Sequence, residues 1–315
     1  MIRIASLESL SDFSVKLIEK SLCENVYLVD RGNIDNTDMS QTEILIARDR
    51  DVTEGLIKKC SNLKLLFIVS AGVEKLPFDI LKKNEILVAN SGDLSAEAMA
   101  EHVIGVMLMF SAKLLMSVIN QKHKYWQKFV INDTLAGKRI LIVGAGKIGR
   151  CIAKKAKAFD MFTVGIKNSV TDIPCFDEIC TLDNIDLQLS VADYVVCTLP
   201  LTELTENLFD YNKFSAMKRD SVFINISRGK LVIEDDLVRA LNDKLIKGAA
   251  IDVFDPEPLN KNSLLWEFDN VIITPHSSGR IENFVEKTIP VFIKNVIEYK
   301  KSGKLVTKID LDKKY

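Results

Sequence analysis

The sequence predicts an α/β protein. Short β-branched runs alternate with helix-length amphipathic segments along most of the chain, which is the pattern of parallel strands joined by crossover helices. The alternation stops once, in the polar and aromatic stretch HKYWQKFVINDTLAGK, and then restarts. The first strand of the restart runs straight into a glycine triplet.

Taken in order, candidate strands lie at residues 3–5, 26–29, 44–47, 65–69 and 86–88. They are separated by segments such as 12–22 and 53–60, whose apolar residues recur at three- and four-residue spacing. Five strands with such crossovers suffice for one small doubly wound unit. A long helical segment follows at 96–120, and the aperiodic stretch after it marks the passage to a second sheet. Strands of that sheet are expected at 140–143, 162–166, 194–198, 222–226, 249–253 and 271–274, six in all. A last helix at about 281–301 comes after this sheet is complete, so it is free to pack back on the first domain. No internal repeat or low-complexity tract is present.

Charge and cysteine usage narrow the partners. Lys and Arg total 42 against 43 Asp and Glu, so no excess charge exists to grip nucleic acid or an anionic membrane. A small molecule is the expected ligand. The six cysteines, Cys23, Cys60, Cys151, Cys175, Cys180 and Cys197, form no CxxC pair and keep no ligand spacing to His102, His123 or His276, so neither a disulfide framework nor a metal site is expected. The opening MIRIASLESLSDF lacks the order of a signal peptide, and the longest apolar stretch, 103–111, falls short of a membrane span. Cytoplasmic residence is expected.

The segment RILIVGAGKIGRCIAKKAKAF sets an apolar strand, then Gly144, Gly146 and Gly149, then an amphipathic helix starting near Lys147 and Ile148. Gly144 suits a tight turn, Gly146 a close approach of backbone to a pyrophosphate, and Gly149 close packing of helix on strand. Unpaired N–H groups at the helix start would receive the phosphates. This is the fingerprint of a Rossmann-type dinucleotide-binding domain. In NAD-binding versions the next strand ends in a carboxylate that accepts from the ribose hydroxyls; here FTVGI ends in Lys167, Asn168 and Ser169. An ammonium beside an amide and a hydroxyl attracts a 2′-phosphate, so NADP is favoured over NAD.

Three further strand exits carry chemistry. INISRG places Arg228, AIDVFDPEPL places Asp252 and Glu257, and ITPHSSG places His276. Ligands of open α/β sheets bind outside the carboxyl ends of the strands, where all three segments lie. A guanidinium can donate to both the carboxylate and the ketone of a 2-oxo acid. An imidazole can protonate the alkoxide left by hydride addition, and a carboxylate beside it raises its pKa and fixes its tautomer. Each residue alone has an ordinary structural explanation; their joint occurrence after the glycine triplet points to catalysis by Arg228, Glu257 and His276.

The segments VSAGVEKLP, ANSGDLSAEAMAEH, LAGKRILIVGAGKIG, VVCTLPLT, INISRG, AAIDVFDPEPL and TPHSSG, in that order, make the chain resemble the D-isomer-specific 2-hydroxyacid dehydrogenases. That family includes glyoxylate/hydroxypyruvate reductases and the catalytic part of phosphoglycerate dehydrogenases. The resemblance implies a flavodoxin-like substrate domain, smaller and discontinuous at 1–95 and 281–315, beside a Rossmann domain at 96–280. It implies Arg228 as substrate-binding arginine, Glu257 as partner acid and His276 as general acid/base. It further implies that Asp252 holds the nicotinamide carboxamide, that Thr198 and Pro200 line the cofactor, and that the N–H groups of Ala71, Gly72 and Val73 receive the substrate carboxylate. A homodimer through the long helix after Ala96 is also implied. The chain departs from the family at Lys167, where an NAD-type Asp is usual, and at Glu74, where an Asp is common. Nothing after Tyr315 matches a regulatory domain, so control by serine is not expected. The alternatives are a phosphoglycerate dehydrogenase without that domain, with Arg48 and Lys75 for the substrate phosphate, and a cofactor-sensing protein of the corepressor kind.

Overall fold

The structure is a computed structural model that describes residues 2–312 except 71, 74, 93 and 171. It divides into two compact units, Met1–Leu94 with Ile281–Tyr315, and Ser95–Arg280. Each is a parallel α/β sheet covered on both faces.

In the first unit, β1 (Ile4–Ser6), β2 (Val26–Leu28), β3 (Ile44–Ala47), β4 (Leu65–Ile68) and β5 (Leu87–Asn90) pair in the order β2-β1-β3-β4-β5, the flavodoxin-like arrangement. Strands β1, β3 and β4 are buried along their whole length, which is why they read as unbroken apolar runs rather than alternating ones. One face packs Leu45, Leu66 and Val88 against α2 (Glu54–Lys59) and α3 (Phe78–Lys83). The other packs Ile4, Ile44 and Phe67 against α1 (Asp12–Leu22) and the C-terminal helix Phe284–Ser302. Ser11 and Thr53 cap α1 and α2 by accepting from Ser14 N and Leu56 N. Phe292 of the C-terminal helix meets Phe67 edge-on, with centroids 5.3 Å apart. The segment beyond that helix is pinned by buried Asn295, whose Oδ1 accepts from Val306 N and Thr307 N at 2.9 and 3.1 Å.

The second unit holds seven parallel strands, one more than the sequence suggests. They are β6 (Arg139–Val143), β7 (Phe162–Ile166), β8 (Glu178–Cys180), β9 (Tyr194–Cys197), β10 (Val222–Asn225), β11 (Gly248–Ile251) and β12 (Val271–Ile273), in the order β12-β11-β10-β9-β6-β7-β8. Counted within the unit, this is the dinucleotide-binding order 3-2-1-4-5-6 with a seventh strand added. The unforeseen strand, β8, has three residues and a charge at its start, too short for any periodicity to show.

Its helices are α4 (Ala96–Ser111), α5 (Leu114–Lys122), α6 (Lys147–Lys157), α7 (Ile185–Leu189), α8 (Tyr211–Ala216) and α9 (Glu234–Asn242). α4 and α6 cover one face through Val103, Met107, Ile152 and Ala153, and α7, α8 and α9 cover the other through Leu189, Phe214 and Leu237. The single helix expected at 96–120 is two helices bent by 69°. Lys113 takes a left-handed backbone, φ 55°, and the Ser111 carbonyl accepts from Asp133 N at 2.9 Å, so the helical ladder ends there. The burial differs accordingly: α4 is the core helix, whereas α5 has no buried residue. Among the described residues no single helix is long and apolar enough to cross a membrane.

Candidate active site

The site grows from the carboxyl ends of five neighbouring strands of the second unit, β6, β9, β10, β11 and β12. Beyond β6, Gly144 turns the chain at φ 121°. A Cβ there would lie 2.7 Å from Thr198 Oγ1 and 2.9 Å from Thr198 C, so only glycine fits. Thr198 Oγ1 donates to Gly144 O at 2.7 Å and so ties the turn to the end of β9. A Cβ on Gly149 would fall 2.2 Å from Gly144 O, the close helix-on-strand contact expected of that position. A Cβ on Gly146 would meet nothing within 4 Å, and Gly146 starts α6 without any side-chain cap. The start of α6, at Lys147, Ile148 and Gly149, thus follows a glycine with open space over its Cα. A helix start of this kind has the geometry that suits an anionic group.

At the end of β7, Lys167 N donates to Cys180 O at 2.9 Å. This contact places Lys167 beside β8, followed by exposed Asn168 and Ser169. Past β9, Pro200 O accepts from Thr205 Oγ1 at 2.7 Å, and Leu199 O accepts from the Ser227 hydroxyl. That last bond laces the exit of β9 to the exit of β10.

Arg228 comes directly after Ser227, half-buried, with Nη1 donating to Ser227 O at 2.8 Å. Its backbone is held by Asn225, which accepts from Ser227 N at 3.1 Å and donates Nδ2 to Arg228 O at 3.0 Å. Gly229 carries the lacing onward. A Cβ at that position would lie 2.1 Å from Phe254 C and 2.6 Å from Asp255 N, so the arginine loop rests backbone to backbone on the loop after β11.

That loop carries Glu257, between the cis peptides Asp255-Pro256 and Glu257-Pro258. Its carboxylate accepts from Phe254 N through Oε1 at 3.1 Å and faces His276 Nδ1 at 2.9 Å through Oε2 and 3.1 Å through Oε1. A carboxylate only accepts, so Nδ1 carries the proton and Nε2 is the ring nitrogen left to exchange one with a substrate. The pair is partly open to solvent, with the His276 side chain 49% exposed.

His276 sits in a left-handed conformation, φ 50°, unusual for a residue with a side chain. Asp252 holds it there. Its carbonyl accepts from His276 N at 2.8 Å. Its carboxylate accepts from Ser277 N and Ser278 N at 2.8 and 3.0 Å and from Thr274 Oγ1 at 2.5 Å. Burial by itself would raise the Asp252 carboxyl, but these hydrogen bonds outweigh it and hold the group below the usual carboxylate range. On the far side of the loop, Ser95 Oγ donates to Gly279 O at 2.9 Å.

The glycine turn and the His–Glu pair thus lie at the carboxyl ends of strands of one sheet, and the comparison with known proteins assigns the chain's lineage. A family model described as D-isomer specific 2-hydroxyacid dehydrogenase, NAD binding domain, matches residues 104–278. The chain belongs to the D-isomer-specific 2-hydroxyacid dehydrogenase family. It is 32% identical over 232 residues to a glyoxylate reductase of Thermofilum pendens, covering 70% of this chain and 67% of that protein. It is 33% identical over 240 residues to a D-3-phosphoglycerate dehydrogenase of Synechocystis sp., 76% of this chain but only 43% of that longer protein. Among solved structures, a probable 2-hydroxyacid dehydrogenase from Rhizobium etli CFN 42, in complex with NADP, HEPES and L(+)-tartaric acid, superposes with a TM-score of 0.82. It shares 26% identity and covers 100% of this chain and 99% of that one.

Within this 2-hydroxyacid dehydrogenase frame, the second unit contains Arg228, Asp252, Glu257 and His276 together with Gly144, Gly146, Lys147, Ile148, Gly149, Lys167, Asn168, Ser169, Thr198 and Pro200. The expected substrate loop belongs to the first unit. Val73 is buried, and Ser70 Oγ lies 3.1 Å from Gly72 O; Ala71 and Glu74 lie outside the described residues. Arg48 directs both Nε and Nη2 to Oε2 of buried Glu8, each at 3.0 Å, while Lys75 is exposed. Sequence reasoning passed over Asn225, Ser227 and Ser95, which hold the loops rather than carry chemistry. The available signal was Asn225 itself, an amide closing the otherwise apolar strand VFIN.

Proposed function

We propose that the chain is an NAD(P)H-dependent reductase of small 2-oxo acids of the glyoxylate, hydroxypyruvate or pyruvate type, giving D-2-hydroxy acids. The observation that carries this reading is the Glu257–His276 pair, whose glutamate loop after β11 packs against Gly229 of the loop bearing Arg228. The glycine turn and the open first turn of α6 would hold the dinucleotide, which supplies the hydride when bound. Arg228 then binds the substrate carboxylate and polarises the ketone, using the fork of donors that suits a planar anion. His276, its Nδ1–H held by Glu257, gives the proton from Nε2 to the oxygen that becomes negative as the carbonyl is reduced. Glu257 stabilises the charged imidazole before transfer and keeps one tautomer after it.

Lys167, Asn168 and Ser169 support NADP over NAD, and the NADP complex of the Rhizobium etli relative is in keeping with that preference. Six free thiols suit a cytoplasmic protein. We further propose a homodimer whose interface includes α5 and the stretch after it. Leu114, Met116, Trp126, Phe129 and Ile131 all stand exposed there, Trp126 at 89%, and such a patch is costly to leave in water.

The test is reduction of a panel of glyoxylate, hydroxypyruvate, its phosphorylated form and pyruvate, with NADPH and NADH in parallel, followed by nicotinamide absorbance. Turnover of the small unphosphorylated acids is expected. His276→Ala should abolish it with cofactor affinity intact, and Arg228→Ala should lose both substrate binding and rate. No turnover with any 2-oxo acid would favour the cofactor-sensing alternative.

A further inference from the structure

Arg228 lies beyond the end of β10, which stops at Asn225, so the strand's own ladder does not hold it. We propose that Asn225 is the positioning residue for Arg228, a buried amide that fixes the peptide units on both sides of the Ser227–Arg228 pair. The inference rests on the reading of Arg228 as the substrate-binding group.

Asn225 is fully buried, 0% exposed, in a strand whose other residues are Val, Phe and Ile. A leucine would fill such a place without the cost of removing an amide from water. The amide brings two directed bonds, and both go to the arginine loop: Oδ1 accepts from Ser227 N at 3.1 Å and Nδ2 donates to Arg228 O at 3.0 Å. The first alone would be an ordinary local turn; the second closes the loop onto the same side chain. The main chain of Asn225 points the other way. Its carbonyl accepts from Asp252 N at 3.0 Å, and Asp252 sets the loop of His276. One residue thus references the arginine and the histidine loops to each other. The Ser227 hydroxyl on Leu199 O and Gly229 on Phe254 fix the loop at two further points, and the guanidinium itself donates Nη1 to Ser227 O at 2.8 Å.

Asn225→Ala removes both bonds. Because a displacement near 1 Å costs about 100-fold in rate, kcat/KM for the best 2-oxo acid should fall roughly 10- to 100-fold, carried mainly by KM, with the dissociation constant for NADPH within about twofold of wild type. Asn225→Asp sharpens the test. Its buried carboxyl, when protonated, can donate to Arg228 O as the amide does, so its activity relative to wild type should rise as the pH is lowered. Hydrogen exchange at the Ser227 amide should speed up in Asn225→Ala. Unchanged kinetics in the alanine variant, an equal loss of cofactor affinity, or a pH-independent ratio for the aspartate variant would overturn the proposal. If wild type reduces no 2-oxo acid, the functional reading fails separately, and unaltered exchange at Ser227 then refutes the clamp by itself.

Discussion

Replacing Gly229 by alanine is the most direct trial of the idea that the arginine and glutamate loops are registered against each other by backbone contact. The added methyl would sit 2.1 Å from Phe254 C, 2.2 Å from Phe254 O and 2.6 Å from Asp255 N. Carbon atoms pack at about 3.5 Å, so one loop has to retreat by roughly 1.4 Å. The three obstructing atoms are all main chain, so no side chain can swing away to absorb the shift. The displaced groups are Arg228 on one side and Glu257 with its histidine on the other. A misplacement of this size costs about 100-fold in kcat/KM, which corresponds to ~2.7 kcal/mol of transition-state stabilisation. Overpacking should also lower folding stability by ~1–3 kcal/mol. The assay is steady-state reduction of glyoxylate or hydroxypyruvate with a parallel thermal melt. Gly55→Ala, whose methyl would meet Thr53 Oγ1 at an ordinary 3.8 Å, serves as control, with stability unchanged or raised by up to ~1 kcal/mol. A Gly229→Ala enzyme within threefold of wild type would refute the registration argument.

Three further outcomes follow from the same geometry. Asp252→Asn turns an amide N–H toward donors that need an acceptor, so it should destabilise the protein by ~1–3 kcal/mol at neutral pH. Because the folded carboxyl titrates below its unfolded value, its contribution is present above the unfolded pKa and lost as the pH falls through the folded one; a deficit that stays constant down through the carboxylate range would contradict this. His102 of α4 is half-buried, and burial lowers its proton affinity more than the Asp252 charge restores it. The unfolded chain then binds more protons than the folded one just below the ordinary histidine pKa of about 6.5, so stability should fall on acidification there. Melting curves of His102→Gln should lack that slope, and a slope equal to wild type would rule the assignment out. Lys167→Asp should move the NADPH-to-NADH ratio of kcat/KM toward NADH by at least tenfold, on the order of one charge reversed beside a phosphate; an unmoved ratio would place the 2′-phosphate contact elsewhere.

The strands were legible because both faces of both sheets are covered. Runs such as LLFI and RILIV can hardly be anything other than buried parallel strands, bounded as they are by helix-period segments. β8 escaped because three residues carry no period, and the break at Lys113 escaped because SAK contains neither glycine nor proline. What ends α4 is a distant donor, Asp133 N, which local sequence does not reveal. In the site, His276 and Glu257 stood out by residue type and by their place after strands. The parts that fix them did not. Asp252, implied by the resemblance to hold the nicotinamide carboxamide, also has a carboxylate that collects donors from residues more than twenty positions away, which its sequence position does not reveal. Arg48, read as a cation for a distal phosphate, has two of its donor nitrogens on buried Glu8, a partner forty residues distant.

The C-terminal helix has a consequence for how the protein is made. The sheet of the first unit is synthesised early, but the face bearing Ile4, Ile44 and Phe67 is completed by Ile289, Phe292 and Val296. A ribosome delivers those residues only after the whole of the second unit, whose own core needs nothing from beyond Arg280. In vectorial synthesis, therefore, the middle of the chain can reach its native state before its beginning does. The nascent amino-terminal sheet waits with this apolar face covered by α1 alone, the interval in which a chaperone would find most to hold.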